Sequence, residues 1–238
     1  MHRRTFLQGV AVSSGVALAG CLGGDSNTVL GEPDIEGADP EALVYPAHGE
    51  ELPEVTLPAP LHDRSVSTTE FVGERETLLT FIFTRCPGPC PGLTAALAHV
   101  QVTAVQEGFE GEVALMPTTF DPEHDDVDRI REFSELNGAD PTAENWLFLR
   151  PETPQEAREH INGTFGVGFE EVPAEEGAHA GHGGDHGESL DSEEDETTFA
   201  HLNLIILANR DGYVERAYQR VPRPDVVLDD LETVRGGY

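Results

Sequence analysis

Lysine is absent from the 238-residue chain. Its 14 basic residues are all arginine, and they are outnumbered by 45 acidic residues. The formal net charge is −31. Contact with nucleic-acid phosphates requires clustered basic side chains, so a nucleic-acid-binding role is excluded. A strongly acidic surface keeps a protein soluble in concentrated salt, where the Debye length falls to about 3 Å. We therefore interpret the charge as a salt-adapted, halophilic surface.

Cysteine is also scarce, and three residues are too few for a disulfide framework. The first of them, Cys21, ends a segment that resembles a lipoprotein cleavage box, Leu18-Ala19-Gly20-Cys21. A twin-arginine export signature begins at Arg3, and the apolar run that follows is too short to span a bilayer comfortably. These features predict a signal peptide over residues 1–20 and a lipid on Cys21 that anchors the exported chain to the outer face of the membrane.

The other two cysteines lie in Thr84-Arg85-Cys86-Pro87-Gly88-Pro89-Cys90-Pro91. An apolar run over 78–83 predicts a buried strand before this segment, and a helical pattern over 92–106 follows it. The N–H groups at a helix start stabilise a thiolate. Residues four apart share a helix face, so both sulfurs could point at one ligand or at each other. Two buried apolar cysteines are the alternative, but the rigid Pro-Gly-Pro turn favours an exposed, chemical role.

Strand and helix patterns alternate along the rest of the chain, which predicts an α/β layer architecture. A short hairpin over about 52–71 precedes them. Residues 21–51 have little apolar periodicity and predict a flexible tether, in which Tyr45 and His48 would be solvated. The later patterns predict strands at 112–120, 146–149, 202–208 and 213–218, and helices ending near 136, 165 and 234.

One segment interrupts this alternation. Residues 170–198 contain 11 acidic residues and no basic ones among 29, which predicts a disordered insertion. Its histidines at 179, 182 and 186 stand among glycines and could converge on a metal ion with low affinity. The alternative interpretation of His179, His182 and His186 is a solvated acidic loop.

Three motifs in order resemble the Sco/SenC family of copper-binding, thioredoxin-fold proteins, which take part in cytochrome c oxidase assembly. The pattern Thr-x-Cys-Pro-x-x-Cys-Pro is matched over 84–91, and an Asp-Pro turn after the next strand is matched over 119–125. A distal histidine before an apolar strand and a polar turn is matched from His201 to Gly212. The chain departs from the family where Leu202 replaces a small hydroxylated residue and Asn209 replaces an acidic one.

The resemblance implies a thioredoxin-like domain over 52–238 in which Cys86, Cys90 and His201 bind one copper ion. Soft sulfur ligands favour Cu(I), and an imidazole also accommodates Cu(II). A site with three ligands leaves room for a partner's cysteine, so the implied function is delivery of copper to the binuclear copper site of a terminal oxidase subunit. Asp121 is expected to accept hydrogen bonds near the cysteine loop. The chain has only two methionines, which argues against an internal methionine-rich copper relay.

The same residues are compatible with three other functions, so the sequence does not decide whether the chain is an enzyme. A thiol–disulfide oxidoreductase would use Cys86 as nucleophile and Cys90 as resolving cysteine to reduce the oxidase subunit. A peroxidase would use Cys86 with support from Arg85. A metal buffer would act through the acidic, histidine-containing insertion.

Overall fold

The computed structural model describes residues 27–33, 43–173 and 197–238. The predicted signal peptide, Cys21 and the three histidines of the insertion lie outside the described residues. None of the helices in these ranges is long and apolar enough to cross a membrane.

The described ranges contain eight strands, four longer helices and two 3₁₀-helices, Pro60–His62 and Glu110–Glu112. The strands, in chain order, are β1 (Thr56–Ala59), β2 (Arg64–Ser67), β3 (Glu76–Ile82), β4 (Val113–Thr119), β5 (Phe169–Pro173), β6 (Thr197–His201), β7 (Ile205–Ala208) and β8 (Val214–Tyr218). The helices are α1 (Cys90–Glu107), α2 (Val127–Leu136), α3 (Pro154–Ala157, continued as a π-helix over Arg158–Thr164) and α4 (Pro224–Arg235).

The central sheet has the strand order β4–β3–β7–β8. β3 and β4 are parallel, and every residue in both is buried, as expected for strands covered on both faces. β7 is antiparallel to β3 and to β8. An extended segment continues the sheet beyond β4, since the N–H groups of Leu147 and Leu149 donate to the carbonyls of Leu115 and Pro117, each at 2.8 Å. This segment corresponds to the strand predicted at 146–149.

Helix α1 packs on β3 and β4 and contacts α4. Pro91 lies in its first turn, where a missing N–H is tolerated, and Gly108 ends it in a left-handed conformation. Asp126 caps α2, its side chain accepting from the N–H of Arg129. The mixed sheet with flanking helices agrees with the predicted α/β class, and β1 and β2 form the predicted N-terminal hairpin.

A second hairpin differs from the sequence expectation. β5 and β6 pair antiparallel, with Phe169 opposite His201, so residues 170–173 and 197–198 are strand and not insertion. Aromatic contacts that composition does not reveal stabilise this pairing. His201 was expected to open the strand at 202–208, but it ends β6, and β7 begins only at Ile205. The Leu202 N–H donates to the Gly168 carbonyl, which keeps the chain in the hairpin at this point.

Parts of the segment predicted as a tether contact the domain. The solvated interpretation of Tyr45 and His48 is wrong: Tyr45 is buried, and its hydroxyl pairs with Gln219. Burial raises the pKa of that hydroxyl, although the bond from Gln219 acts against the shift. His48 Nε2 lies 2.8 Å from the Leu30 carbonyl. Gly166, at φ +65°, lets Val44 pass so closely that a Cβ there would lie 1.5 Å from its carbonyl oxygen.

Candidate metal centre

The two cysteines lie where the central strand β3 ends and α1 begins. After Phe83 and Thr84 the chain turns, and the Cys86 N–H donates back to the Phe83 carbonyl at 3.3 Å. Cys90 is the first residue of α1. Both thiols are free of a disulfide. The strand end and the helix start therefore present both sulfurs at one end of the sheet.

The histidine reaches this end of the sheet from the β5–β6 hairpin. His201 Nε2 lies 3.5 Å from Cys90 Sγ, although 111 residues separate them in sequence. The two sulfurs and a His201 ring nitrogen all lie within 4.8 Å of one another. Within the described ranges, no other group of three such side chains could hold a metal ion. The three residues predicted as ligands are thus brought together.

The surroundings of His201 Nδ1 determine whether Nε2 carries a proton. Nδ1 lies 3.3 Å from the Leu202 carbonyl, which can only accept a hydrogen bond, so Nδ1 carries the proton in the neutral ring. Nε2 then presents its lone pair toward the cysteines. A backbone carbonyl that orients a histidine in this way is typical of metal sites.

The two thiols differ in their acidity. The hydrogen bond from Cys90 lowers the pKa of Cys86 to about 5, although burial opposes the shift. Burial raises the pKa of Cys90, and the neighbouring Cys86 raises it further. Cys86 is 8% exposed and Cys90 is fully buried. Cys86 is therefore the thiolate at the surface of the site, and Cys90 is the protonated partner beneath it.

Two aromatic rings contact the imidazole, and two more pack against those rings. Phe83 meets His201 edge-on at 5.7 Å between ring centres, and Phe120 lies 5.1 Å away. Phe169 stacks on Phe120 at 4.7 Å, and Phe199 contacts Phe83 at 5.2 Å. We call these four phenylalanines the aromatic cage. It holds the ring orientation by packing and lowers the polarity around the three ligand atoms.

A buried carboxylate fixes the start of the cysteine loop. Asp125 is fully buried and accepts from the Thr84 N–H at 3.1 Å, from the Thr84 hydroxyl at 2.5 Å and from the Thr119 hydroxyl. Burial raises the pKa of the Asp125 carboxyl, although the two threonine hydroxyls act against this shift. Arg150 donates to the Asp125 carbonyl at 2.7 Å. In the sequence, Asp125 belongs to the Asp-Pro motif but has no predicted role. Its burial next to Thr84 shows that it holds the start of the cysteine loop.

Asp121, the residue expected to shape the loop, also contacts it. Its carboxylate accepts from Arg85 Nε at 2.8 Å and lies 2.9 Å from His124 Nδ1. The Arg85 guanidinium lies 5.5 Å from the centre of the Phe199 ring. Arg85 thus bonds through Nε to Asp121.

The donor set fits a soft or borderline metal ion. It offers two sulfurs and one imidazole nitrogen, with no carboxylate among the ligand atoms. Thiolates favour Cu(I) and Zn²⁺, and the apolar aromatic cage disfavours ions that keep several waters. Three ligands leave a coordination position for a ligand from another molecule.

The profile of the SCO1/SenC family matches residues 61–235. No curated protein sequence matches the chain. Among solved structures, a SCO1/SenC family lipoprotein from Bacillus anthracis is 18% identical, with 78% of this chain and 95% of that chain covered and a TM-score of 0.56. Copper-bound ScoI from Arabidopsis thaliana is 18% identical, with 77% and 98% covered and a TM-score of 0.55.

BsSco is described as a member of the Sco family of cytochrome c oxidase assembly proteins with a disulfide switch, and it is 23% identical. The alignment covers 78% of this chain and 94% of BsSco, with a TM-score of 0.54. At these identities the likeness shows the fold, and it confirms the predicted thioredoxin-like architecture. Since the profile covers well over half of the sequence, this chain belongs to the SCO1/SenC family.

Proposed function

We propose that this protein binds one copper ion through Cys86, Cys90 and His201 and delivers it to the binuclear copper site of a terminal oxidase. The observation that carries the proposal is the convergence of these three ligand atoms within 4.8 Å from distant parts of the chain. Family membership supports it, as do a copper-bound relative and a relative described as an oxidase assembly protein.

The geometry suits transfer. Cys90 is fully buried, whereas Cys86 keeps 8% of its surface exposed, so we expect a partner's thiolate to approach the metal from the Cys86 side. Copper would pass as cargo by exchange of ligands, without release into solvent. The lowered pKa of Cys86 provides a thiolate for binding at neutral pH without a large proton cost.

The site of action is part of the proposal. Export by a twin-arginine signal and a lipid on Cys21 would hold the domain over 52–238 at the outer face of the membrane, beside its recipient. The acidic composition would keep it soluble in strong salt. The histidines of the insertion, His179, His182 and His186, would at most bind metal weakly and apart from the main centre.

Reduction of the oxidase cysteines is the second candidate, and the contrast between the two thiols favours it. The Cys86 thiolate would attack a disulfide of the recipient, forming a mixed disulfide and releasing one thiolate. Cys90 would then lose its proton and attack Cys86, which forms the Cys86–Cys90 disulfide and releases the second recipient thiol. An external dithiol would have to reduce the pair again.

Replacing His201 by Ala separates the two functions. A copper-delivery protein loses Cu(I) affinity on the order of 100-fold, about 2.7 kcal/mol, with one ligand gone, while both thiols remain for exchange. The matched control is His99→Ala, at an exposed position on α1. If oxidase assembly in cells survives His201→Ala but fails in Cys90→Ala, reduction is the main function and the copper proposal is wrong.

A further inference from the structure

A short stretch near the N-terminus binds at the end of the sheet remote from the metal centre. It comprises residues 27–31, Asn-Thr-Val-Leu-Gly, which we call the strap. Leu30 is buried with the hydrophobic core, whereas Val29 is partly exposed and packs on Gly237 near the C-terminus. A Cβ at Gly237 would lie 2.7 Å from a Val29 methyl carbon, so a side chain there would force Val29 to shift.

A buried carboxylate receives the backbone of the strap. Both oxygens of Glu215, which is fully buried at the start of β8, accept hydrogen bonds from consecutive N–H groups, those of Val29 and Leu30, each at 2.8 Å. A buried charge requires such donors, because its desolvation is costly without them. The strap thus supplies two of the bonds that Glu215 makes.

The amide of Asn209 joins the strap to the turn between β7 and β8. Its Nδ2 donates both to the Asn27 carbonyl at 2.8 Å and to Glu215 Oε1 at 2.6 Å, while its Oδ1 accepts from the N–H of Tyr213. An aspartate could keep the bond to Tyr213 but could make neither donation, and it would set a second carboxylate against Glu215. Asn209 is therefore suited to strap binding, where the family resemblance leads one to expect an acidic residue.

The strap site lies opposite the metal centre along the sheet. Ala208, just before Asn209, pairs with Thr77 at the start of β3, whereas Ile205 pairs with Thr80, nearer the end that leads to Cys86. The seven residues of β3 span about 20 Å at ~3.3 Å per residue. The metal centre and the strap thus lie at opposite ends of the sheet.

We propose that the strap shortens the tether of the anchored protein and directs the metal centre away from the membrane; this rests on the lipid attachment proposed for Cys21. Five residues lie between Cys21 and Asn27, a reach of at most about 22 Å, whereas without the strap the chain would be held only from the buried Tyr45 onward and could reach about 86 Å. With the length of the sheet added, the metal centre stays within about 40 Å of the anchor. The fitting recipient is a membrane-attached protein whose copper site lies within that height.

Hydrogen exchange on the full-length chain tests the strap itself. In the wild type, the amides of Val29 and Leu30 exchange at least ~10-fold more slowly than unprotected amides, and in Asn209→Asp they lose this protection. Val29→Pro, which removes a donor from the strap without altering the domain, exposes the Leu30 amide in the same way. Glu32→Gln, at an exposed position beside the strap, is the control and keeps full protection. Unprotected amides in the wild type overturn the proposal.

Energy transfer tests the reach. Trp146 is the single tryptophan of the chain, and its emission is transferred to dansyl headgroups in phosphatidylglycerol vesicles that carry the lipidated full-length protein. Transfer falls in Asn209→Asp and Val29→Pro and stays at the wild-type level in Glu32→Gln. Equal transfer in all four proteins overturns the shortened tether. Protein that does not bind the vesicles while its strap amides stay protected overturns the lipid attachment and the reach drawn from it, but not the strap.

Discussion

Replacement of Asp125 by Ala is the perturbation that best separates loop positioning from metal ligation. The side-chain hydrogen bonds of Asp125 go to threonines and not to the sulfurs or the imidazole, and they hold Thr84, two residues before Cys86. Without the carboxylate, one backbone N–H and two hydroxyls lose their acceptor. The protein then retains its three metal ligands on a loop with weaker support.

The expected magnitude follows from the lost bonds. An unsatisfied buried donor costs about 1–3 kcal/mol, and the two hydroxyls can turn to other acceptors, so we expect Asp125→Ala to lower the free energy of unfolding by about 3 kcal/mol. With a urea m-value of about 2 kcal/mol/M, the midpoint falls by about 1.5 M. Asp125→Asn keeps one oxygen acceptor and should cost about 1 kcal/mol.

Urea unfolding of the reduced protein at constant high salt measures this loss of stability. Competition with a chelator measures the Cu(I) affinity, which reports whether the cysteine loop is still held in place. The neighbouring Asp126→Ala is the matched control: it removes the cap of α2, costs about 1 kcal/mol and leaves copper affinity unchanged. An unfolding free energy for Asp125→Ala within about 0.5 kcal/mol of wild type would refute the reasoning, since surface substitutions alone give changes of that size.

Two further predictions concern the thiols and the insertion. The hydrogen bond from the Cys90 thiol lowers the pKa of Cys86 to about 5, so Cys86 is ionised above that pH. Its rate of alkylation by iodoacetamide should therefore be constant at pH 7–8 and fall about tenfold per pH unit below pH 5. A rate that still rises steeply between pH 7 and 9 would contradict the assignment. In Cys90→Ala the donor is gone, and the curve should shift to higher pH. Replacement of residues 176–194 by a short Gly-Ser turn keeps both strands of the β5–β6 hairpin and should leave high-affinity Cu(I) binding within about twofold of wild type; loss of that binding would place the main site in the insertion.

Local patterns predicted much of the fold. The buried run before Cys86 and the proline after Cys90 have strong preferences of their own, so the strand, the turn and the helix start could be read from composition and spacing. The β5–β6 hairpin could not, because its strands border an acidic, low-complexity segment and are stabilised by rings distant in sequence. Phe169 and Phe120 show this: their stacking is visible only once the chain has folded.

The site was predictable to different depths. The spacing of Cys86 and Cys90 predicts a functional site. His201 was identified only through a family resemblance, because a single histidine does not by itself indicate a metal ligand. The roles of Asp125 and of the strap depend on burial, and charge patterns do not predict which acidic residues of an acidic protein lie inside. Glu215 is one of 45 acidic residues in the sequence, and its two bonds to the strap distinguish it only in three dimensions.

An anaerobic Cu(I) titration of the reduced protein tests the central claim most directly. The wild type should bind one equivalent tightly, while Cys86→Ser, Cys90→Ser and His201→Ala should each lose that tight equivalent, and His99→Ala should keep it. Tight binding of one equivalent that persists in His201→Ala would contradict a metal centre built from two sulfurs and this imidazole.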